Sequence, residues 1–243
     1  MADRKKAPKL ITPRVTLLFP KLDKPDYGNE KYPKPDGEYS TQALIKGDSP
    51  EAKKFIGELM PFYDEAMEWA ERKFKELKIE TRKKLGSVTR NDLFATVYDN
   101  ETEEPTGDIR FKFAMPASGI RNKGKKNEEK WTAAPQVFDA KGRLMKKVPQ
   151  IWSGTVAKVA FTIGLNEDGG PGYFIPGTGA AGLKLKLSAV QIIDLVSGGQ
   201  RSASSYGFGE EDGYEYDESD VVDEDDADGN SSKSSDIDED VPF

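Results

Sequence analysis

The chain has 243 residues, of which 36% are hydrophobic and 33% charged, with a net charge of -7. Low hydrophobicity with high charge marks a chain that is only partly folded. The absence of both cysteine and histidine excludes disulfide frameworks, thiolate chemistry, histidine-based triads and zinc centres built on Cys or His.

In chain order, the basic N-terminus (residues 1–10) has no apolar stretch behind it, so no secretory leader is expected there. No apolar run reaches the roughly 18–20 residues of a membrane span, and we expect a soluble intracellular protein that does not engage membranes. Strands are expected at Gly37–Ile45, Ile109–Ala114, Thr155–Ile163 and Leu183–Val196, with shorter ones at Leu93–Tyr98 and Trp131–Phe138. Asp48-Ser49-Pro50-Glu51 is a helix start. Phe55, Leu59, Phe62, Ala66 and Trp69 then follow at spacings of four and three, predicting an amphipathic helix over about Pro50–Lys78, kinked or briefly broken at Pro61. About five strands and one inserted helix predict a mainly β fold built on a small elaborated barrel.

The net charge conceals an asymmetry. Residues 210–243 hold 16 acidic residues and one basic one, Lys233, for -15; the remaining 35 basic and 27 acidic residues give residues 1–209 a charge of +8. A basic domain over 1–196, a Gly/Ser-rich linker over 197–209 and a disordered acidic tail over 210–243 are expected.

Period-two alternation assigns side chains to faces. Arg110 and Lys112 share one face of their strand, opposite Ile109, Phe111 and Phe113; Lys184 and Lys186 do the same opposite Leu183, Leu185 and Leu187; Lys158 lies opposite Ala157, Val159 and Phe161. If these strands are neighbours, the cations form a groove suited to a phosphate backbone. Taken singly, each Lys reads first as an ordinary solvated or edge-protecting residue, and it is the three strands together that point to a groove. Single-strand binding also needs exposed rings, and Tyr27, Trp152, Tyr173 and Phe174 all lie in loop-like segments. Tyr173 and Phe174 read equally well as a hydrophobic lid. Trp131 is expected in the core, and Arg121–Lys126 is expected to be a basic loop tip.

Three near-matches fail on their chemistry. Gly119–Lys126 fits a phosphate-binding loop except that Lys126 stands where Ser or Thr must hold magnesium. Gly177–Gly182 has dinucleotide-fingerprint spacing but precedes a strand rather than opening a helix. The acidic run ahead of Gly229 lacks the bidentate Glu of a calcium loop, having Ser235 there. The carboxylates form no acid/base or two-metal pair. Neither catalysis nor a cofactor or metal is expected.

Lys24-Pro25-Asp26-Tyr27-Gly28-Asn29-Glu30, then Asp139-Ala140-Lys141-Gly142 with Lys147-Val148-Pro149, then an acidic tail ending in Phe243, occur in this order. On these motifs the chain resembles the single-stranded DNA-binding proteins of T-seven-like tailed phages. The resemblance implies an OB-fold with an inserted helix, coating of single strands in replication and recombination, and help in annealing. It implies action in the host cytoplasm, contacts of the tail (Asp238, Glu239, Asp240 and Phe243) with the phage DNA polymerase and primase-helicase, and a homodimer in which tails lie in partner clefts. The DNA-binding residues expected from residues and resemblance together are Lys24, Tyr27, Arg110, Lys112, Trp152, Lys158, Tyr173, Phe174, Lys184 and Lys186. An RNA-chaperone barrel and a non-catalytic interaction adaptor are the competing classes.

Overall fold

The computed structural model describes residues 7–122 and 124–197; the expected acidic tail and all of the linker beyond Ser197 lie outside them. The strands are β1 (Lys9–Ile11), β2 (Val15–Gly28), β3 (Pro33–Lys46), β4 (Thr89–Arg90), β5 (Ala95–Tyr98), β6 (Pro105–Pro116), β7 (Ser118–Arg121), β8 (Glu129–Thr132), β9 (Gln136–Phe138), β10 (Val156–Ile163), β11 (Tyr173–Ile175), β12 (Ala180–Gly182) and β13 (Leu185–Asp194). Helices α1 (Pro50–Glu76) and α2 (Ile79–Leu85) lie between β3 and β4.

Five strands close a barrel. β2 pairs antiparallel with β3, β3 antiparallel with β6, β6 parallel with β13, β13 antiparallel with β10, and β10 antiparallel with β2. In chain order the ring runs first, second, third, fifth, fourth and back to first, the Greek-key closure of an OB-fold. Its interior is filled by the apolar half of each alternating strand, including Leu17, Ala43, Phe111, Phe113, Val159, Phe161, Ile163, Leu187 and Val190. Closure leaves the polar half facing outward on every strand.

Helix α1 starts where its sequence directs. The Ala52 N–H donates to the Ser49 hydroxyl at 3.2 Å, and Pro50 occupies the first turn, where its missing N–H costs nothing. Of the kink or short break expected at Pro61, the break is not there: the helix is continuous through it. Pro61 and Gly57 both face solvent, so water can satisfy the carbonyl that Pro61 leaves free. The first half of α1 buries Phe55 and Leu59 against the barrel, where the Phe55 ring meets Phe111 and Phe161 edge-on at 5.0 and 5.9 Å. Its second half buries Ala66, Met67, Trp69 and Ala70 in a satellite cluster beneath the loop joining β10 to β13.

Two expectations fail in β7–β9. The segment expected as one strand over Trp131–Phe138 is two: β8 pairs with β7, while β9 pairs with β13. Pro135 separates them, ending one ladder before the next begins. Trp131 is accordingly half-buried rather than in the core; it lies across Gly119, where a Cβ would stand 2.7 Å from its ring. The basic run from Arg121 caps this hairpin, which confirms that Gly119–Lys126 is no phosphate-binding loop.

Candidate nucleic-acid interface

β13 lies between β6 and β10, which makes the three lysine-bearing strands neighbours. Lys186 stands opposite Ala114 of β6 and Thr162 of β10, and Thr162 is in turn opposite Lys9 of β1. Lys112 is opposite Gln42 of β3. Lys112, Lys184 and Lys186 are all exposed, and they line a single groove of about 690 Å³ with Tyr173 and the Lys34–Glu38 segment. None of the three is within ion-pair distance of a carboxylate among the described residues. A second hollow of about 560 Å³, reaching α1 at Trp69 and Lys73, shares Tyr173, Lys184 and Lys186 with the first. Tyr173 is the ridge between the two.

The loop that carries Tyr173 is a built object. Its strands β11 and β12 form a hairpin, and β12 pairs in parallel with β4, the short strand that follows α2. The Trp69 indole N–H donates to Asp168 Oδ2 at 2.7 Å, and Lys73 pairs with Glu167 at 2.9 Å. At Gly172, with φ of +94°, a side chain would collide with Ala66 of α1. Glycine therefore permits both the backbone turn and the close approach. On Tyr173 itself, the hydroxyl accepts from Asn91 Nδ2 at 2.7 Å and Lys184 Nζ sits 5.1 Å from the ring centroid. The ring is held by its edge, with a cation against it. Phe174 packs on the satellite cluster of α1 while also lining the smaller hollow; of the two loop aromatics, it is the one turned toward the helix.

The indole hydrogen bond, with Lys73 nearby, holds the Asp168 carboxyl below its ordinary value of about 3.9. Lys73 is correspondingly pushed up, chiefly by its bond to Glu167. A depressed carboxylate contributes to loop docking above its unfolded pKa, and the contribution is lost as pH falls through the folded pKa. Amide protection in residues 166–182, relative to the intrinsic exchange rate at each pH, should therefore be unchanged from neutral pH down to about pH 5 and fall below about pH 4. Asp168→Asn should flatten that acid transition; an unaltered transition would show that the loop is held by other contacts.

The remaining expected site residues lie elsewhere. Arg110 is half-buried and borders a hollow beside Lys112, with Gln42, Leu93 and Phe94. Lys158 faces Gln191, four residues along β10 from Thr162, which is roughly 13 Å from the Lys186 row. Lys24 and Tyr27 line a different cleft, and Trp152, 44% exposed, follows one wall of it. Sequence reasoning missed Lys9 and Asn91. Lys9 lies in a strand of three residues, too short for an alternation, and Asn91 reaches Tyr173 only through the tertiary fold.

A family model described as single-stranded DNA-binding protein, bacteriophage T7, matches residues 17–195. Among solved structures, the chain is similar to gp2.5, a single-stranded DNA-binding protein encoded by bacteriophage T7, with 25% identity, a TM-score of 0.59, and coverage of 81% of this chain and 95% of that one. The single-stranded DNA-binding protein of bacteriophage Enc34 in complex with ssDNA gives 12% identity and a TM-score of 0.41 over 78% of this chain and 88% of that one. No curated protein matches. With that model spanning β2 to β13, the chain belongs to the bacteriophage T7 family of single-stranded DNA-binding proteins.

Proposed function

We propose that the protein binds single-stranded DNA without sequence preference in the groove of Lys112, Lys184, Lys186 and Tyr173. The carrying observation is the convergence of three lysines outside the ion pairs of the described residues, Lys112 of β6, Lys186 of β13 and Lys184 just ahead of β13, on one ridge aromatic. Lysines follow the phosphates while the ring stacks a base, and neither reads sequence. The Tyr173 loop is the connection between the fourth and fifth barrel strands, one of the two loops that OB-folds use for oligonucleotides. Photo-cross-linking of a bromodeoxyuridine-substituted oligo-dT to the full chain tests the placement. The expected adduct is Tyr173, and adducts confined to the opposite side of the barrel would refute it. Competition with oligo-rU in the same experiment separates a DNA binder from an RNA chaperone.

The acidic tail is read as a competitor for this groove and as the handle for replication proteins. Its 16 carboxylates are tethered to a body of +8, at an effective concentration of order millimolar for a flexible linker. DNA, with its denser line of charge, displaces the tail and frees Asp238, Glu239, Asp240 and Phe243 for the polymerase and primase-helicase or for a partner subunit in a dimer. Removing residues 210–243 should raise affinity for oligo-dT, most at low salt, where screening is weakest. Equal affinity of truncated and intact chains at low salt would exclude competition.

A further inference from the structure

A separate cleft, of about 600 Å³, lies between residues 20–27 of β2 and residues 147–151. These walls include two of the motifs singled out in the sequence, Lys24-Pro25-Asp26-Tyr27 and Lys147-Val148-Pro149. Lys21, Lys24 and Lys147 line it, and none of them is within ion-pair distance of a carboxylate among the described residues. Of its two carboxylates, Asp26 is engaged at 2.8 Å by Lys34, leaving Asp23. Lys34 also holds Glu38 at 2.7 Å. Asp26 belongs to this cleft, whereas Lys34 and Glu38 belong to the Lys112–Lys184–Lys186 groove. The ion trio is thus a shared wall. The Tyr27 ring lies against Gly37 of that wall, yet the residue is 62% exposed.

Two more exposed aromatics flank the walls in sequence without lining the cleft itself. Phe19 immediately precedes one wall and Trp152 immediately follows the other, and the Phe19 N–H donates to Ser153 Oγ at 2.8 Å, tying the two ends together. Phe19 is 64% exposed and has φ of +49°. A bulky residue in the left-handed region is an outlier, and holding an apolar ring in water from a strained backbone serves neither the core nor the sheet. Strain of this kind collects at ligand sites.

We propose that this cleft is a second subsite for the same single strand, entered across the Asp26–Lys34–Glu38 bridge from the main groove, with Lys21, Lys24 and Lys147 on phosphates and Tyr27, Phe19 and Trp152 on bases. It rests on the single-stranded DNA reading of the main groove. Cations alternating with open rings along a rigid, proline-lined channel are what sequence-tolerant stacking requires.

The test uses the full chain with oligo-dT of about four and about twelve nucleotides, within the range an OB-fold covers. Only the longer strand should quench Trp152 emission, with Trp152→Phe identifying the signal. Lys24→Ala with Lys147→Ala should weaken the longer strand about 25-fold near 0.1 M salt and reduce its salt slope by about 1.4. The shorter strand should be unaffected. Phe19→Asn removes the ring while placing there a residue that tolerates positive φ, so the fold is retained and affinity for the longer strand should fall at least about fivefold. If both lengths bind and neither responds to the variants, or if both weaken equally, the cleft is no subsite and the main groove stands. Loss of self-association in sedimentation with DNA affinity intact would instead make it a subunit interface and overturn the proposal. Failure of the intact chain to bind either length overturns the single-stranded DNA reading and this subsite with it.

Discussion

Replacing Lys112, Lys184 and Lys186 together by alanine should weaken binding of oligo-dT about 100-fold at 0.1 M salt. Each phosphate contact to a single strand contributes about 0.7 to the slope of log affinity against log salt, or about fivefold in affinity at that concentration. Three contacts multiply to about 100-fold and remove about two units of slope. All three side chains are exposed and outside the ion pairs of the described residues, so stability should change by less than about 0.5 kcal/mol per site. Unfolding curves that coincide with the parent, alongside a flattened salt slope, identify the loss as one of contacts. An unchanged slope would make these lysines a solvated face and nothing more.

The largest effect on stability is expected at Phe161. Its side chain is 1% exposed, and its ring stands 4.9 Å from Phe113 and 5.9 Å from Phe55. It therefore joins the barrel interior to helix α1. Phe161→Ala leaves a cavity that neither the closed barrel nor the helix can collapse into, and should cost about 3–5 kcal/mol. At roughly 2–4 °C per kcal/mol for a domain of this size, melting should fall by about 10–15 °C. Tyr98→Ala, at a position 57% exposed in the β5–β6 hairpin, is the matched control and should move it little. Equal shifts for the two would contradict the placement of the core.

Why some of this was legible in the sequence and some was not follows from particular residues. β6, β10 and the Leu185–Leu187 end of β13 alternate cleanly, so their faces are legible before any strand order is known. That assignment placed Lys112, Lys184 and Lys186 on the outside. Helix α1 announces itself through Ser49, Pro50 and a regular apolar stripe. By contrast β2, the first strand of the barrel, went unrecognised. Val15-Thr16-Leu17-Leu18-Phe19-Pro20 ends in three consecutive apolar residues and a proline, which in a regular strand argue against the assignment. The structure accommodates them with a register shift between Leu18 and Lys21 and the left-handed backbone of Phe19. Because that strand was missed, so were Phe19 and Lys21, and Tyr27 was grouped with Tyr173 although the two line different hollows. Residue type can nominate an exposed ring. Which groove it enters depends on pairings between segments more than 100 residues apart, such as Phe19 with Ser153.

The central claim is that this barrel grips unpaired strands through phosphate contacts and stacked bases together. A fluorescence titration of the intact chain with oligo-dT and with duplex DNA of equal length, each at two salt concentrations, tests it most directly. The expected result is a steep salt dependence and much tighter binding of the single strand, because paired bases cannot reach Tyr173. Equal affinity for duplex and single strand, or affinity indifferent to salt, would contradict it.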